Sequence, residues 1–535
     1  MKSSAAPLPT ERAALWSRLT TPRRHDLAVV GGGATGLGVA LDAALRGYSV
    51  VLLEAHDFAS GTSSRATKLA HGGVRYLAQG DIHLVREALH ERKHILQSAP
   101  HLAQPLAFVM PSYKLWETPF YGVGLKIYDA LAGHEGLGRT EWLSAGAVQR
   151  LLPGVQPRGL KGGVKYWDGQ FDDARLALAL ARTAALHGAL LVNYCEVQQV
   201  LHEGGKAVGL VAADIETGQT ATIQAGCIVN ATGVWVDRLR ALDAQAAGER
   251  PQPIVEPSQG AHVVVDAEFL PGRDALLVPS THDGRVLFAV PWLGKVILGT
   301  TDTPRPDAPR EPHPGAREVD FILSESARYL KRAPTRVDIR SCWAGLRPLV
   351  KLSGDHDTKS ISREHTVRIA RSGMVTVAGG KWTTYRAMAE DVLAHCIQGG
   401  RLPARGACTT AGFPLVGAPA GARLDEKHPL SEAQGPHSYG TEAALLDTLP
   451  GADRWLADGF SEAMVRFAVR FEYARSVEDI LARRSRLLFL DAAHAARVAP
   501  AVAGILRQEG LREPGLEAFL GLAVAYAQPA AAASA

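Results

Sequence analysis

The stretch Asp26-Leu-Ala-Val-Val-Gly31-Gly-Gly33-Ala-Thr-Gly36 decides the fold of this chain. Its apolar run, residues 27–30, is typical of a buried strand and stops at the first glycine, and residues 34–45 are predicted to form a helix. A second apolar run, residues 48–53, ends at Glu54. Strand, glycine turn, helix, strand and acid together predict a βαβ unit that binds a dinucleotide.

Each glycine of the turn has a separate role in such a unit. Gly31 allows the tight turn, Gly33 lets the backbone approach a pyrophosphate, and Gly36 lets the helix pack against the strand. The free N–H groups and the dipole at the helix start favour phosphate groups. Glu54 is expected to accept hydrogen bonds from ribose hydroxyls, and no Arg beside it would hold the 2′-phosphate of NADP. FAD and NAD both remain open at this point.

Length and composition limit the remaining possibilities. The chain has 535 residues, too many for one compact core, so at least two domains are expected. The formal net charge of +4 is small for this length and argues against nucleic-acid binding. The five cysteines form no C-x-x-C pair and the sequence has no EF-hand loop, so no metal site and no calcium regulation are predicted.

Both ends of the chain, residues 1–25 and 526–535, are predicted to be flexible tails. The alternative for the first is a short amphipathic turn, with Leu15, Trp16 and Leu19, that contacts a membrane or a partner. The first tail holds five basic residues and no apolar block of the length of a signal peptide. No uncharged apolar run of about 18 residues occurs anywhere, so no membrane-spanning helix is predicted.

Two further segments are predicted to return the chain to the cofactor. The polar segment 61–76 offers hydroxyls, a lysine and bare glycine backbone, and is expected to wrap around the cofactor and end at its reactive ring. The buried strand 227–230 stops at Ala231-Thr-Gly233, a second glycine turn. Val375-Thr-Val-Ala-Gly379-Gly380-Lys381 repeats the strand and glycine turn, so it belongs to the same unit.

The rest of the chain predicts a β-rich part and a helical part. A meander at about 195–226 and strands at 261–266, 275–278, 286–291 and 296–299 indicate an antiparallel substrate-binding part, about 195–226 and 251–340, inserted into an oxidoreductase domain of residues 26–400. Helical patterns at 441–449, 461–471, 477–488 and 516–527 predict a C-terminal helical domain, residues 401–525. The fold class is therefore α/β with an antiparallel β insertion: a Rossmann-like domain, an inserted β-rich domain and a C-terminal helical domain.

Six motifs in this order resemble one family. They are Gly31-x-Gly33-x-x-Gly36 with Glu54, Lys68-Leu-Ala-His71-Gly-Gly-Val-Arg75-Tyr76, Asn230-Ala-Thr-Gly233-x-Trp235, Gly299-Thr-Thr-Asp302, Gly345-Leu-Arg347-Pro-Leu, and Gly379-Gly-Lys381-Trp-Thr-Thr-Tyr-Arg386. The chain resembles the FAD-dependent, quinone-linked glycerol-3-phosphate dehydrogenases, in the D-amino-acid-oxidase-like flavoprotein group, over roughly residues 26–500.

The resemblance implies FAD as cofactor and oxidation of sn-glycerol 3-phosphate to dihydroxyacetone phosphate by hydride transfer to flavin N5. It also implies that a membrane quinone takes the electrons, that the protein is peripherally attached to the inner face of the cytoplasmic membrane, and that a homodimer is possible. Basic pairs such as Lys331-Arg332 are compatible with an anionic membrane surface but are also common on solvated faces.

The resemblance further assigns roles to individual residues. Arginine suits a phosphate dianion, and the residues implied to bind the substrate are Arg75, Tyr76, Arg347, Arg363 and Lys381. Arg75, Tyr76, Arg347 and Lys381 are also implied to act in catalysis. His262 is a candidate general base, with a purely structural histidine as the alternative. The residues expected to bind the cofactor are Gly31, Gly33, Gly36, Glu54, Ala55, Thr62, Ser63, Ser64, Lys68, His71, Gly72, Gly73, Val197, Ala231, Thr232, Gly233, Trp235, Gly299, Gly380, Lys381 and Thr383.

Three other functions are compatible with parts of the sequence. A glycerol-3-phosphate oxidase would give its electrons to oxygen, and the residues alone do not separate it from a dehydrogenase. An amino-acid oxidase of the same fold would need one arginine for a carboxylate, whereas several cations fit a phosphate better. A non-catalytic FAD-binding, membrane-docking module would not need the polar set at Arg75, Arg347 and Lys381.

Overall fold

The computed structural model describes residues 7–73, 81–245, 248, 250–351, 365–419 and 428–528. These residues form two mixed sheets and a C-terminal group of helices. Arg75, Tyr76 and Arg363 lie outside the described residues, so their predicted roles stay predictions.

The first sheet carries the dinucleotide unit. Its strands are β1 (Arg24–Val30), β2 (Val50–Leu53), β7 (Leu190–Val192), β8 (Cys195–Glu203), β9 (Lys206–Asp214), β10 (Thr220–Asn230), β17 (His365–Ile369) and β18 (Val375–Gly379). The order is β17-β18-β10-β1-β2-β7, and β1 runs parallel to both β2 and β10. The register sets Leu27 opposite Val50 on one side and Cys227 on the other. These central strands are apolar at nearly every position because helices cover both faces.

Five helices belong with this sheet: α1 (Arg12–Thr20), α2 (Ala34–Leu45), α6 (Asp173–Leu186), α7 (Val236–Gln245) and α9 (Tyr385–Gln398). Helix α2 follows the glycine turn and packs between α6 and α9. Gly38 permits this close packing, because a Cβ there would stand 2.9 Å from the Tyr385 ring.

The second sheet lies beside the first and has ten strands. They are β3 (Leu69–Ala70), β4 (Ala103–Ser112), β5 (Glu141–Ser144), β6 (Gly162–Phe171), β11 (Val255–Asp266), β12 (Ala275–Val278), β13 (Leu287–Trp292), β14 (Lys295–Gly299), β15 (Thr303–Pro304) and β16 (Ser341–Val350). The order is β15-β11-β14-β13-β12-β4-β6-β3, with β16 paired to β11 and β5 to β6. The helices with this sheet are α3 (Ile82–Ser98), α4 (Glu117–Ala132), α5 (Ala145–Leu151) and α8 (Ala316–Tyr329).

The C-terminal helices cover part of the second sheet. They are α10 (Ala443–Leu446), α11 (Glu462–Phe471), a π-helical segment (Asp479–Arg484), α12 (Leu487–Leu490), α13 (Ala492–Gln508) and α14 (Leu516–Ala527), with the hairpin β19 (Trp455–Ala457) and β20 (Phe460–Ser461). Their core includes Trp292 and Trp343 of the sheet, both fully buried. The predicted fold class of Rossmann-like, β-rich and helical parts is confirmed.

The division of the strands between the sheets differs from the prediction. Residues 195–226 were expected in the inserted part, but they form β8, β9 and most of β10 in the first sheet. The reason is that β10 is long: its second half pairs with β1, while its first half pairs with β9. Residues 69–171 instead supply four strands of the second sheet, none of which was predicted.

The expected flexible tail at residues 1–25 is also corrected for its described part. Residues 12–20 form α1, which buries Leu15 and Leu19 against the first sheet. Arg12 forms an ion pair with Asp214 at 3.1 Å and donates to the backbone oxygens of Asn193 and Tyr194. Helix α1 is therefore attached to the first sheet by two buried leucines and by the hydrogen-bonded Arg12 side chain.

The last helix has the predicted bounds, residues 516–527, so residues 526 and 527 of the expected flexible tail are helical. Helix α14 runs to Ala527, and Tyr526 is fully buried, with its hydroxyl donating to Glu311 at 2.6 Å. Helix α13 was not predicted, and it contains Pro500, a residue that usually interrupts helical patterns.

Candidate cofactor and substrate sites

The turn between β1 and α2 has the geometry that its glycines predict. Gly31 has a φ of +110°, and a Cβ at Gly36 would stand 2.0 Å from the Gly31 carbonyl oxygen, so the helix can only approach the turn without a side chain there. The Ala34 N–H at the first turn of α2 donates to Ser63 Oγ at 2.9 Å. The N-terminus of α2 is therefore hydrogen-bonded to the segment 61–63.

Glu54 fastens the glycine turn to the end of β2. Its carboxylate accepts hydrogen bonds from the N–H of Gly32 at 2.6 Å and from the N–H of His56 at 2.8 Å. Burial raises the pKa of Glu54, and these two donors oppose that rise. A carboxylate has about four lone-pair directions, so it keeps acceptor capacity for ligand hydroxyls.

A cavity of about 340 Å³ opens in front of this turn. All three glycine turns meet there, with Glu54, the segment 61–63 and Val197 along its wall. The predicted cofactor residues that line it are Gly31, Gly33, Glu54, Ala55, Thr62, Ser63, Val197, Ala231, Thr232, Gly233, Trp235, Gly380 and Lys381. Bare backbone at a helix N-terminus for a pyrophosphate, an acid for hydroxyls and an apolar wall are the features an adenine dinucleotide requires. The residues present fit FAD.

A second cavity, of about 210 Å³, adjoins the first and is lined by both apolar and polar side chains. The two share a wall formed by Thr62, Pro348, Gly379, Gly380, Lys381 and Trp382. His71, His262, Arg347, Lys381 and Thr383, five of the residues predicted to bind or act, line this second cavity. Thr383 Oγ1 also accepts a hydrogen bond from the His71 N–H at 3.3 Å.

Arg347 projects from β16 into the second cavity. Its Nη1 lies 3.1 Å from Asp302 Oδ1, and its Nη2 donates to the Thr301 carbonyl oxygen at 3.1 Å. A Cβ at Gly260 on the neighbouring β11 would stand 2.4 Å from Nη2. The guanidinium is thus oriented by Asp302 and given room by a glycine.

His262 lies on β11 with its ring stacked on Trp343, at 4.0 Å between centroids and 19° between planes. Its Nε2 is 3.0 Å from Thr67 Oγ1. Burial, and then the charges of Lys68 and Arg347, lower the pKa of His262 well below 6.5. The imidazole is therefore neutral at pH 7 and able to accept a proton. A Cβ at Gly299 would stand 2.6 Å from its Cδ2, which explains the glycine there.

Lys68 does not reach either cavity, which corrects its predicted contact with the cofactor. Its ammonium is fully buried, donates to Asp173 at 2.7 Å and to the Ser64 carbonyl oxygen at 2.8 Å, and lies 4.8 Å from the centroid of the Trp343 ring. Burial and the charge of Arg486 lower the pKa of Lys68 to about 7. Lys68 supports the ring on which His262 stacks.

Other predicted cofactor residues also lie outside the lining of both cavities: Gly36, Ser64, Gly72, Gly73 and Gly299. Gly36 acts through helix packing, as expected, while the Gly72 N–H is satisfied by the Tyr128 hydroxyl at 2.9 Å. Thr67, Gly260 and Trp382 line the second cavity and were not among the predicted site residues. Gly260 stands two positions before His262 in an apolar strand, and that spacing was the available signal.

Two known protein families match parts of the chain. The family described as FAD dependent oxidoreductase matches residues 26–390, and the C-terminal domain of alpha-glycerophosphate oxidase matches residues 408–511. The fold and the first cavity thus define a flavoprotein oxidoreductase with FAD as its cofactor.

Individual relatives identify the family within this class of flavoproteins. The chain is 40% identical to the mitochondrial glycerol-3-phosphate dehydrogenase of Homo sapiens over 94% of its own length and 72% of the relative's. It is 37% identical to the Schizosaccharomyces pombe enzyme of the same name, over 95% and 87%. The FAD complex of a glycerol-3-phosphate dehydrogenase from Bacillus halodurans superimposes with a TM-score of 0.75 at 28% identity, covering 97% of this chain and 98% of that one. The chain belongs to the family of FAD-dependent glycerol-3-phosphate dehydrogenases.

Proposed function

We propose that the protein oxidises sn-glycerol 3-phosphate to dihydroxyacetone phosphate in the second cavity and passes the electrons to a membrane quinone. The observation that carries the proposal is the adjoining pair of cavities: a dinucleotide cavity shares the Gly380–Lys381 wall with a smaller cavity that holds Arg347 and His262. FAD, when bound, supplies the acceptor for the hydride equivalent.

Arg347 is proposed to bind the substrate phosphate. A guanidinium forms paired hydrogen bonds with phosphate oxygens, and Asp302 and the Thr301 carbonyl hold this one in place. Arg75, Tyr76 and Arg363 are also proposed to bind the substrate, on the basis of the family motifs alone.

His262 is proposed to take the proton of the substrate hydroxyl through Nε2. The ring is neutral at pH 7, as a base must be before the transfer, and the contact with Thr67 orients it. The burial and cations that lower its pKa also make it a weaker base than a free imidazole. Lys381, in the wall common to both cavities, is proposed to stabilise negative charge that develops during the oxidation.

The substrate assignment is tested by the visible spectrum of the purified protein during anaerobic titration. Glycerol 3-phosphate is expected to bleach the flavin absorption, while glycerol without the phosphate and D- or L-amino acids are not. If an amino acid bleached the flavin absorption, or if glycerol bleached it as readily as glycerol 3-phosphate, the proposed binding of a phosphate by Arg347 in the second cavity would be contradicted.

An exposed apolar face supports the proposed membrane attachment. Leu115, Trp116, Phe120, Val123 and Ile127 lie before or along α4 and are each at least 50% exposed. Those on the helix repeat at intervals of three or four residues, so they share one side, while Leu125 and Tyr128 are buried on the other.

Aromatic and basic side chains flank this face. Trp142 of β5 is also exposed, and Lys126 lies 5.7 Å from its ring, as Lys114 lies 5.9 Å from the ring of Trp116. Exposed aromatic residues beside lysines suit the interface of an anionic bilayer. None of the described helices is long and apolar enough to cross a membrane.

The membrane proposal is tested with vesicles that contain anionic lipid and a quinone. The double variant Trp116→Ser/Phe120→Ser should sediment less with vesicles and show slower quinone-linked turnover, with normal anaerobic flavin reduction. The matched control is Val337→Ser, which removes an exposed apolar residue outside α4. Equal vesicle binding by the double variant and the wild type would contradict the assignment of this face.

Oxygen is the second candidate acceptor, because residues 408–511 match a domain described from an oxidase. Reoxidation of the substrate-reduced protein in air, with and without a soluble quinone analogue, separates the two. Rapid stoichiometric peroxide formation with no response to quinone would replace the quinone by oxygen.

A further inference from the structure

The middle of α3 carries the pattern His90-Glu-x-x-His94. Two histidines four positions apart lie on the same side of a helix, one turn from each other. Neither histidine, nor Glu91 between them, lines the two cavities described above. The cluster is therefore separate from the proposed cofactor and substrate sites and independent of the proposed function.

A hydrogen bond between their Nε2 atoms joins the two imidazoles, and a bound metal ion would replace it. His90 Nε2 and His94 Nε2 are 3.0 Å apart, and the rings are perpendicular with their centroids 4.5 Å apart. With metal–nitrogen bonds of about 2.0–2.1 Å, two ligand nitrogens are about 2.9 Å apart at a right angle and about 3.3 Å apart in a tetrahedral site. The observed separation lies within this range.

A carboxylate holds one of the rings. His90 Nδ1 is 2.8 Å from Glu135 Oε1, and Lys93 Nζ reaches the same oxygen at 3.5 Å. The carboxylate keeps the proton on Nδ1, so that the Nε2 lone pair is directed at His94. This is the arrangement by which carboxylates fix the rings of metal-binding histidines.

Glu91 supplies charge but not a free carboxylate. Its oxygens accept hydrogen bonds from Arg386 Nε and Nη2 at 2.6–3.0 Å, and its side chain is almost fully buried. The same sequence pattern in zinc proteases uses the glutamate as a general base. Here the ion pair with Arg386 occupies that carboxylate, so the pattern indicates metal binding without hydrolysis.

We propose that His90 and His94 bind one divalent transition-metal ion of the Zn²⁺, Ni²⁺ or Cu²⁺ class, with Glu135 holding the His90 ring and water completing the coordination. Imidazole nitrogen is the ligand that these ions share. Both ligands lie on α3, one helical turn apart, so the ion would be held by a single helix.

The test is calorimetric titration of the tag-free holoenzyme, treated with chelator, with Zn²⁺ and separately with Ni²⁺. One saturable site per chain is expected, together with a rise in thermal unfolding temperature, because a ligand that binds only the folded state stabilises it. His90→Gln and His94→Gln should each weaken binding by more than about 100-fold, and Glu135→Gln by about 10–100-fold, as is typical for a residue that orients a ligand.

His83→Gln is the matched control, since His83 is an exposed histidine on the same helix outside the cluster. It should bind the metal as the wild type does. No saturable site in the wild type, or unchanged affinity in both cluster variants, would overturn the proposal, and so would a His83→Gln protein that loses binding equally. Unfolding of each metal-free variant at the wild-type temperature shows that lost binding is not lost folding.

Discussion

The two adjoining cavities are made from different parts of the polypeptide. The first is shaped by backbone: the glycine turns at 31–36, 231–233 and 379–380 bring peptide groups to its surface. The second is shaped by side chains brought from distant segments, such as Thr67 and His262, which meet 195 positions apart in the sequence. Changes in the first should alter whether the cofactor is held, and changes in the second should alter what a held cofactor does.

The largest effect is expected at Gly36. A side chain there would meet the Gly31 carbonyl oxygen at 2.0 Å, so Gly36→Val must displace α2 from the turn. The variant is expected to lose FAD and much of its stability, measured by flavin absorption and thermal unfolding. Gly504→Ala, inside α13 where a Cβ meets nothing within 4 Å, is the control and should keep FAD and gain about 0.5–1 kcal/mol in free energy of unfolding. Full flavin content in Gly36→Val would contradict the expectation that changes in the first cavity alter cofactor binding.

Arg347→Ala should have the next largest effect, confined to the second cavity. Losing one partner of a charged hydrogen-bonded pair costs on the order of 2–5 kcal/mol, which should raise KM for glycerol 3-phosphate strongly while FAD content stays normal. Arg332→Ala, on an exposed arginine paired with Glu268, should leave KM unchanged. A normal KM in Arg347→Ala, or loss of flavin, would contradict a phosphate-binding role.

Lys381 stands in the wall shared by the two cavities, so it tests whether they are functionally separate. Lys381→Met keeps most of the side-chain volume and removes the charge. It is expected to lower kcat by about 100-fold, the lower end for loss of one electrostatic group at a reacting centre, with a smaller change in KM. The measurement is anaerobic single-turnover flavin reduction, and a wild-type rate there would exclude Lys381 from the chemical step.

The same contrast explains what the sequence could predict. The first cavity could be predicted from the glycine spacing, because the strand, turn and helix that shape it are formed by consecutive residues. The β10 hairpin was misassigned because alternating polarity reveals a strand but not its partner. Lys68 was misplaced for a related reason: its partner Asp173 is 105 positions away, and no local pattern reveals which of Thr67 and Lys68 faces the cavity.

The smallest effect concerns the charges behind the substrate cavity. His262 owes its low pKa first to burial and then to the ammonium of Lys68 and the guanidinium of Arg347. If His262 is the base, kcat/KM should stay level as pH falls through 6.5, the ordinary histidine pKa, and decline only below it. In the unfolded chain His262 binds a proton at about pH 6.5, whereas in the folded protein it stays neutral at that pH. The free energy of unfolding should therefore fall as the pH drops below about 6.5.

Removing the Lys68 charge removes one cause of the lowered pKa of His262 and leaves the larger cause, burial, unchanged. Lys68→Met should move the acid limb of kcat/KM toward higher pH, by less than about one unit because burial is the larger cause. Arg486 remains 3.1 Å from Asp173, so that carboxylate keeps a partner. FAD content and the KM at pH 8 should match the wild type, since Lys68 lines neither cavity. An acid limb that stays in place in Lys68→Met and persists in His262→Gln would mean that another group takes the proton, and that His262 is a structural histidine stacked on Trp343.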